Sequence, residues 1–550
     1  MRKTILTLTT LFICVYGFAQ DYTIQERLEY DVILEGLTVE TFNTLEDAQQ
    51  YVDDNTIPSG TYMFDKYEWS IKEGVVTYEE ALVNREQIND AITYAHNNGF
   101  TVFEIDNIDA YFEVSAINFG NLTHREAIQI PSDFHFKMGD NCTLRVQPNA
   151  LPAYALLSAR SADNVKITGG KLLGDKYEHT YATGTQLDTH ELGFGIYFVG
   201  VTNSIVDGVF VDDMTGDCFA VHSTGARNHN GTENPKYDYS KNIILRNCIF
   251  KGSRRNNLSF IDVIGLLMED CIVEGAGEGG KTVRGEPKSS KGVAPRCGID
   301  LEARRSWDTQ NNKLKESQKV SEIIIRRCEF TNSYGSDINL FTCDNVEIYD
   351  CTFDSPITTI YLAQDIKIHN NIMTASDYEG GNTYCGIKTK SYISPNTQEE
   401  FVKNIEIYEN TITGFDAGLI IGGDNINVHD NIILNSVNSG VSLSSGNNLS
   451  FSNNIIESEL INSKGYYQNR SVVINGLSLV NEVVKGDYYG LLFKGLISPI
   501  DNPAIIDNCS FTARFRTVDI RNSSNIIIKN SDTGTINQSN SINITQINNN

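Results

Sequence analysis

A short repeat that runs along the chain from about residue 160 constrains the fold more than any other feature. A Cys, Asn or Gly anchor recurs before a short apolar run, and the uninterrupted repeats are 20–23 residues long. The anchors are Gly170, Gly208, Cys248, Cys271, Cys328, Cys351, Asn371, Asn410, Asn431, Asn454 and Cys509. A repeat of this length is typical of a solenoid, in which each repeat forms one turn and stacks on its neighbours.

Two runs of alternating apolar and polar residues accompany an anchor. For Cys351, one run is Asn345–Tyr349, just before the anchor, and the other begins 14 residues before it, at Asp337. Alternation over about five residues is typical of a β-strand. Three short strands per turn predict an all-β fold, a right-handed parallel β-helix built as a single-stranded solenoid.

The repeat and the composition divide the chain into four segments. Arg2 and Lys3 precede the apolar run Thr4–Phe18, which is typical of a secretory signal peptide. The segments are a signal peptide (1–19), an N-terminal cap (20–100), a parallel β-helix core (101–460), and C-terminal coils with a polar tail (461–550). In the cap, Leu45–Val52 and Asn84–His96 have helical patterns, and we expect the second helix to cover the first edge of the β-helix.

Charge and hydropathy limit the partners of the chain. Its 44 Lys and Arg residues against 70 Asp and Glu residues give a net charge of −26, which argues against binding to nucleic acid or to an anionic membrane. After residue 19, no apolar run approaches the roughly 18–20 residues that a membrane span needs. We therefore expect a monomer that is secreted, periplasmic or displayed at the cell surface.

Ten cysteines remain once Cys14 leaves with the signal peptide. An exported protein can form disulfides, but stacked coils lie about 4.8 Å apart, whereas a disulfide holds its Cβ atoms at about 3.8 Å. We therefore expect Cys248 and Cys271, and likewise Cys328 and Cys351, to be free thiols in a stacked ladder.

For each coil we superpose the earlier of the two runs, the one that begins 14 residues before the anchor Cys351. This superposition predicts one column of outward side chains. The column contains Tyr197 and Val199, Ala220 and His222, Ser259 and Ile261, Asp300 and Glu302, Asn339 and Phe341, Tyr361 and Ala363, Lys388 and Lys390, and Ile420 and Gly422. Mixed aromatic and ionisable side chains suit a groove that binds a sugar chain. A solvated sheet face is the alternative.

Asp300 and Glu302 are the acids of this column. They alternate with Ile299 and Leu301, so a strand here points both carboxylates to one side. Their Cβ atoms would lie ~6.5–7 Å apart, near the carboxyl separation of about 6.5–9.5 Å in inverting glycosidases. Rotation of the side chains also permits the shorter separation of retaining enzymes.

Basic residues surround this strand. Arg254 and Arg255 precede Ser259, Arg296 precedes Gly298, and residues 275–320 hold ten Lys or Arg against six acids. In an acidic chain, such a segment indicates subsites for sulfate or carboxylate groups. Charge balance within loops explains the same pattern.

A second group of ionisable residues lies before the run that starts at Gly195. It contains Asp175, Glu178, His179, His190 and Glu191. Such side chains could bind a cation or act as bases, although their spacing matches no ligand motif, and a solvated loop is the alternative.

These motifs resemble the pectin-lyase-like β-helix superfamily. Residues 216–223 (GDCFAVHS) are similar to the GDDCxAxKS segment of polygalacturonases, and 255–259 and 298–302 fall where those enzymes have GHGIS and GIRIK. Gly216 replaces one aspartate of the pair, and Asp300 and Glu302 replace the Arg and Lys that bind galacturonate. The resemblance therefore implies the fold and a polysaccharide substrate, but not polygalacturonase activity.

We interpret the chain as a secreted glycoside hydrolase of an anionic (sulfated or uronic) polysaccharide. Asp300 and Glu302 would be the acid and base, with Asp217 and His222 assisting. Substrate-binding candidates are Arg254, Arg255, Arg304, Tyr361, Lys388, Tyr197 and His190. We expect no required cofactor.

Two alternatives stay open. One is a polysaccharide lyase, with a base among His222, Lys388, His190 and Tyr361, and with Ca²⁺ held by Asp300 and Glu302. The other is a β-helix that binds a glycan without catalysis.

Overall fold

A computed structural model of the chain describes residues 71–114, 126–181, 190–279, 292–308, 310–311, 313–377, 382–392 and 400–550, together with four strands between residues 11 and 42. The chain divides into two compact units. Unit 1 comprises residues 1–225, 235–257 and 278–293, and unit 2 comprises residues 226–234, 258–277 and 294–550.

Unit 1 is built from stacked coils of three strands each, and each strand pairs in parallel with its equivalents in the neighbouring coils. The first stack is Glu126–Gln129, Ala153–Arg160, Leu192–Val199 and Phe219–His222. The second is Val102–Ile105, Phe134–Met138, Val165–Thr168, Thr202–Asp207 and Ser240–Arg246. The third is Asp109–Phe112, Thr143–Val146, Lys171–Leu173, Phe210–Asp212 and Ile249–Lys251.

Unit 2 has the same architecture. Its first stack contains Leu258–Phe260, Ile299–Glu302, Cys385–Thr389, Lys464–Gln468, Tyr489–Lys494, Arg516–Arg521 and Ile536–Ser539. The second contains Val263–Glu269, Val320–Arg326, Lys403–Tyr408, Val472–Val480, Leu496–Ile497, Ala504–Asp507, Ser524–Lys529 and Ile542–Ile547. Four longer strands bend through both stacks: Ile338–Tyr349, Ile357–His369, Ala417–His429 and Ser439–Ser452.

The third stack of unit 2 follows the anchors. It consists of Ile272–Glu274, Glu329–Thr331, Thr352–Phe353, Ile372–Thr374, Thr411–Thr413, Ile432–Leu434, Ile455–Glu457, Val483–Gly486 and Ser510–Ala513. The three parallel stacks confirm the predicted all-β class and the right-handed parallel β-helix.

A helix caps the first coils of unit 1, as predicted, and runs from Tyr78 to Asn97. The side chain of Thr77 accepts from the backbone N–H of Glu80. In return, the Glu80 carboxylate accepts from the backbone N–H of Thr77. On the inner face, the Asn89 side chain donates to Ala127 O and accepts from Gln129 N. Its amide thus satisfies backbone groups at the edge of the strand Glu126–Gln129, which an open edge would leave exposed.

The anchors occupy one corner of the coils. In unit 2 the register places Cys271, Cys328, Cys351, Asn371, Asn410, Asn431, Asn454 and Cys509 in a single column, as predicted, and adds Glu482. In unit 1, Val209 rather than Gly208 aligns with Gly170 and Cys248, because Phe210 pairs with Lys171 and Ile249. All ten described cysteines are buried and unbonded, which confirms the free thiols.

Two insertions that interrupt the repeat meet within unit 2. Residues 303–320 contain an antiparallel hairpin, Arg305–Asp308 with Lys313–Glu316. Asn230, from the insertion at 223–240, bridges to Glu316 of this hairpin. Residues 461–505 form regular coils, and the predicted polar tail forms further coils as far as Ile547.

The N-terminal part contains the strands Leu11–Cys14, Tyr22–Glu26, Tyr30–Leu34 and Leu37–Phe42. Apart from the first of these strands, the predicted signal peptide (1–19) lies outside the described residues, as does the predicted helix Leu45–Val52. Within the described part of the chain, no helix is long and apolar enough to cross a membrane.

Candidate functional site

The strand Ile299–Glu302 lies in the first stack of unit 2. Asp300 pairs with Ser259 in one neighbouring coil and with Asn339 in the other, and the same level continues through Thr358 and Lys388 to Ile420. These pairings confirm the predicted alignment of Ser259, Asp300, Asn339, Lys388 and Ile420. The pairings of unit 1 likewise confirm the predicted alignment of Tyr197 with Ala220 and of Val199 with His222.

Two bulges change the register just beyond this level. Glu302 pairs with Thr342 rather than with the predicted Phe341, and Thr342 pairs with Leu362. The predicted alignment of Tyr361 with Asn339 and Lys388 was therefore wrong by three residues, and Thr358 holds that place. A bulge inserts a residue into one strand, which a pattern of period two does not reveal.

Asp300 is less accessible than we expected. We predicted that Asp300 and Glu302 both point outward. Asp300 is only 1% exposed, whereas Glu302 is half-buried. Asp300 Oδ1 accepts a hydrogen bond of 2.8 Å from Asn339 Nδ2, and Asn339 Oδ1 accepts one of 3.1 Å from Thr358 Oγ1. The acid is thus held in place by a polar network that joins three successive coils.

Three half-buried rings form an aromatic platform beside this network: Phe341, Tyr361 and Tyr392. The ring centroids of Phe341 and Tyr361 are 5.1 Å apart with planes 14° apart, and those of Tyr361 and Tyr392 are 4.5 Å apart. Buried Glu400 accepts from the backbone N–H of Tyr392 at 2.6 Å, which holds the backbone that carries the third ring. Burial raises the pKa of Tyr361, so its hydroxyl remains a hydrogen-bond donor at neutral pH.

Two predicted cations of unit 2 remain accessible. Lys388 is half-buried, with its Nζ 5.4 Å from the ring centroid of Tyr384. Arg304 is exposed, and its backbone N–H donates to Gln318 Oε1 at the base of the hairpin. The described part of unit 2 thus contains a carboxyl pair, aromatic faces and cations.

In unit 1, Asp217 and Arg255 bind each other. Arg255 Nη1 lies 3.1 Å from Asp217 Oδ2, and Asn256 N donates to Asp217 Oδ1 at 3.0 Å. Asp217 is completely buried. We predicted that Asp217 assists catalysis and that Arg255 binds anions; both roles stay predictions, and the ion pair gives each residue a structural partner.

Tyr197 is not the accessible floor residue that we expected. It is 3% exposed and stacks on Phe194 at 4.8 Å, and the ring of His222 meets it edge-on at 5.2 Å. Burial raises the pKa of the Tyr197 hydroxyl. His222 is half-buried, so of these two predicted residues it is the more accessible.

His190 belongs to a chain of hydrogen bonds in unit 1. His190 Nδ1 lies 2.9 Å from His179 Nε2, and His179 Nδ1 lies 2.7 Å from Asp175 Oδ2. Arg254 Nη1 donates to the backbone oxygen of His190 at 3.3 Å. The structure thus brings together four residues that sequence reasoning left in two separate groups.

Backbone conformation marks two of the candidates. Of the 34 non-glycine residues with positive φ in the described regions, 27 are Asn or Asp, which adopt this conformation most readily. His190 (φ 61°) and Tyr361 (φ 71°) are among the seven others. Such strain in a bulky residue persists only where its surroundings impose it, and it is concentrated at functional sites.

Sequence reasoning missed the roles of Asn339, Thr358 and Tyr392, and it placed His179 and His190 in one group without predicting the hydrogen bond between their rings. A metal site is a separate question: among the described residues, no three or more His, Cys, Asp or Glu side chains are grouped to hold a metal ion. The Ca²⁺ of the lyase alternative stays an expectation.

Comparison with known proteins gives relatives of undetermined role. No family model matches the sequence. The SPbeta prophage-derived uncharacterized protein YorA of Bacillus subtilis (strain 168) is 30% identical over 358 residues, 64% of this chain and 56% of YorA. The uncharacterized protein YclG of the same organism is 27% identical over 399 residues, 72% of this chain and 63% of YclG. The chain spans less than two thirds of the length of either relative.

Solved structures with a similar chain path have little sequence in common with this chain. The tailspike protein of E. coli bacteriophage HK620, in complex with a pentasaccharide, has a TM-score of 0.48 and 11% identity, and the match covers 84% of this chain and 76% of the tailspike. The A-module of the mannuronan C-5 epimerase AlgE6 of Azotobacter vinelandii has a TM-score of 0.38 and 9% identity, with 84% and 95% covered.

Proposed function

We propose that the chain is a secreted glycoside hydrolase that cleaves an anionic polysaccharide, with Asp300 and Glu302 as its acid and base. The observation that supports this most directly is the arrangement in unit 2, where the carboxyl pair lies on the same strand stack as Lys388 and beside the aromatic platform. Sugar rings stack on aromatic faces through their C–H groups, and cations bind sulfate or carboxylate substituents.

The two acids have unequal surroundings, which supports different roles for them. Hydrolysis requires one carboxyl group to protonate the leaving oxygen and another to activate water or to attack the sugar. We assign the first role to Glu302, the more accessible of the two. Asp300, held by Asn339, takes the second role, since a group that orients water must itself be fixed.

The experiment is an activity screen of the protein from residue 20 onward against pectate, alginate, a sulfated galactan and neutral glucan and xylan controls. New reducing ends and the ultraviolet absorbance of unsaturated uronates are followed together. We expect new reducing ends on an anionic polymer, without that absorbance and without cleavage of the neutral polymers.

The other outcomes identify the alternatives. Reducing ends together with absorbance would replace hydrolysis by β-elimination. Binding to an anionic polymer without new reducing ends would favour a glycan-binding protein. Cleavage of the neutral polymers alone would contradict the anionic substrate, while leaving the enzyme class intact.

A further inference from the structure

A histidine relay in unit 1, formed by Asp175, His179 and His190, has no part in the hydrolysis proposed above. Asp175 and His179 are buried, whereas His190 is half-buried. The three side chains come from an irregular segment and from the residue next to the strand Leu192–Val199. Two hydrogen bonds, of 2.7 and 2.9 Å, join the buried carboxyl group to the most accessible ring.

The order of donors and acceptors along this relay follows from the surroundings of Asp175. Its Oδ1 accepts from Tyr154 OH at 2.5 Å, and its Oδ2 accepts from Asn149 N and Nδ2 at 3.1 and 2.9 Å. With these donors around it, Asp175 acts as an acceptor towards His179 too. His179 Nδ1 therefore carries the hydrogen, and His179 Nε2 presents a lone pair.

The same reasoning determines which nitrogen carries the hydrogen on His190, the outer ring of the relay. His190 Nδ1 must donate to His179 Nε2, which leaves the lone pair of His190 on Nε2, the atom on the far side of the ring. A neutral histidine whose Nδ1–H is held in this way is oriented as a proton acceptor. When Nε2 takes a proton, the positive charge is stabilised through His179 by Asp175.

The rest of the cluster is rigid. Tyr154 accepts from Thr215 Oγ1 at 2.9 Å, so the support of Asp175 extends to a third segment. The ring of Tyr181 packs on His179, with centroids 4.7 Å apart, and Tyr181 OH donates to Lys176 O. The positive φ of His190 is an uncommon backbone conformation, which these contacts hold in place.

A cation lies next to the acceptor. The guanidinium carbon of Arg254 is 4.3 Å from the ring centroid of Tyr181, and Arg254 also donates to the backbone oxygen of His190. An arginine held on an aromatic face keeps a fixed orientation and suits a carboxylate better than a lysine does. Arg254 is 7% exposed, so its side chain is held in place by its surroundings.

We propose that His190 is a general base for a carboxylate-bearing sugar that Arg254 binds, with His179 and Asp175 as positioning residues. In the step, the C–H bond next to the carboxylate of the ligand breaks, its proton forms an N–H bond at His190 Nε2, and the electron pair moves into the carboxylate as an enolate, whose charge Arg254 offsets. The inference rests on the proposed class of anionic substrate but not on Asp300 or Glu302.

The charges that face His190 agree with this role. Burial, His179 and Arg254 lower the pKa of His190 below its ordinary value, while Asp175 opposes them. Glu191 is adjacent in the chain, and Tyr181 packs within 6.3 Å of the His190 ring. The outer ring is therefore neutral at pH 7, as a base requires.

Histidine nitrogen NMR of the whole protein tests the relay without any assay of cleavage. Nitrogen-15 labelling of the nine histidines gives the protonation of each ring nitrogen, and His190→Asn identifies the His190 signals by their loss. We expect a hydrogen on Nδ1 and none on Nε2 at pH 7. A charged ring, or a hydrogen on Nε2, would overturn the relay.

Asp175→Asn tests the positioning role. Loss of the opposing charge should lower the pKa of His190 further and allow the Nε2–H form to appear. The control is His369→Gln, which removes a histidine of unit 2. It should change neither the pKa nor the tautomer of His190. An unchanged tautomer and pKa in folded Asp175→Asn would exclude the positioning role. If that variant does not fold, the wild-type tautomer still decides the proposal.

Oligogalacturonate serves as the ligand probe. We expect it to shift the His190 signals of the wild type, and we expect Arg254→Gln to weaken this response at least tenfold while the His369 signals stay in place. No response in the wild type would overturn the proposed ligand class even if the screen finds hydrolysis. A failed screen with a positive response would contradict only the hydrolase.

Discussion

Asp337 shows how the coils of unit 2 alter the chemistry of a single residue. It is fully buried, and its Oδ2 accepts from the backbone N–H groups of Asp354 and Ser355 at 3.1 and 2.8 Å. Burial, reinforced by the charge of Asp354, raises the pKa of its carboxyl group to about 7. In an unfolded chain the same group has a pKa of about 3.9.

Replacement of Asp337 by Asn therefore has a pH-dependent effect on stability. Because the folded pKa is the higher one, the stabilisation by protonated Asp337 is complete below about pH 4 and is lost as the pH rises towards 7. Asn keeps the acceptor oxygen and never ionises. We expect the stability advantage of Asp337→Asn over the wild type, as a free energy of unfolding, to grow by about 1–3 kcal/mol from pH 5 to pH 8.

Thermal unfolding at the two pH values measures this change, with the exposed Asp350→Asn of the same unit as the control. A difference between Asp337→Asn and the wild type that does not vary with pH would contradict the raised pKa.

The asparagine ladder is the clearest case of an element that depends on one side chain per coil. Asn410 Oδ1 accepts from both Asn371 N and Asn371 Nδ2, and Asn410 N donates to Asn431 Oδ1. The pattern repeats through Asn454 to Glu482, where the ladder ends on a buried carboxyl group. Each amide satisfies backbone groups at a buried turn.

Removal of one member should leave buried donors without partners. We expect Asn410→Ala to lose about 2–4 kcal/mol of stability, whereas Asn427→Ala, half-exposed on a neighbouring strand, should lose no more than about 0.5 kcal/mol. Thermal unfolding of the two variants side by side gives the comparison. Equal losses would show that the ladder adds no stability of its own.

Elements that follow the repeat were predictable, and those that depart from it were not. The anchors and the register of Asp300 with Asn339 follow from the spacing, because every coil has the same corner. Tyr361 was misplaced because Thr358, the second residue of its strand, already pairs with Asn339, and the bulge that follows shifts the alternation further. His179 and His190 are eleven residues apart and lie outside the repeat, so no periodicity predicts the hydrogen bond between their rings.

At the scale of the whole molecule, the coils account for the cysteines without any cross-link. The ten described cysteines are buried, and burial raises the pKa of Cys142, Cys385 and Cys509 to about 12, so these thiols resist oxidation and alkylation. For the protein from residue 20 onward, which lacks Cys14, we expect ten alkylated thiols after denaturation and none before it. A reducing agent should leave the unfolding temperature unchanged, whereas loss of a disulfide would cost about 2–5 kcal/mol.

The function assigned to the molecule depends on whether the strand Ile299–Glu302 carries the chemistry. Asp300→Asn and Glu302→Gln retain the shape of each side chain and remove its acid, and Glu329→Gln makes the same change at an exposed position of unit 2. Initial rates of reducing-end release on the anionic polymer that the wild type cleaves are the direct measurement. We predict losses of at least about 100-fold for Asp300→Asn and Glu302→Gln and the wild-type rate for Glu329→Gln. Wild-type rates in both folded variants of the pair would contradict the account.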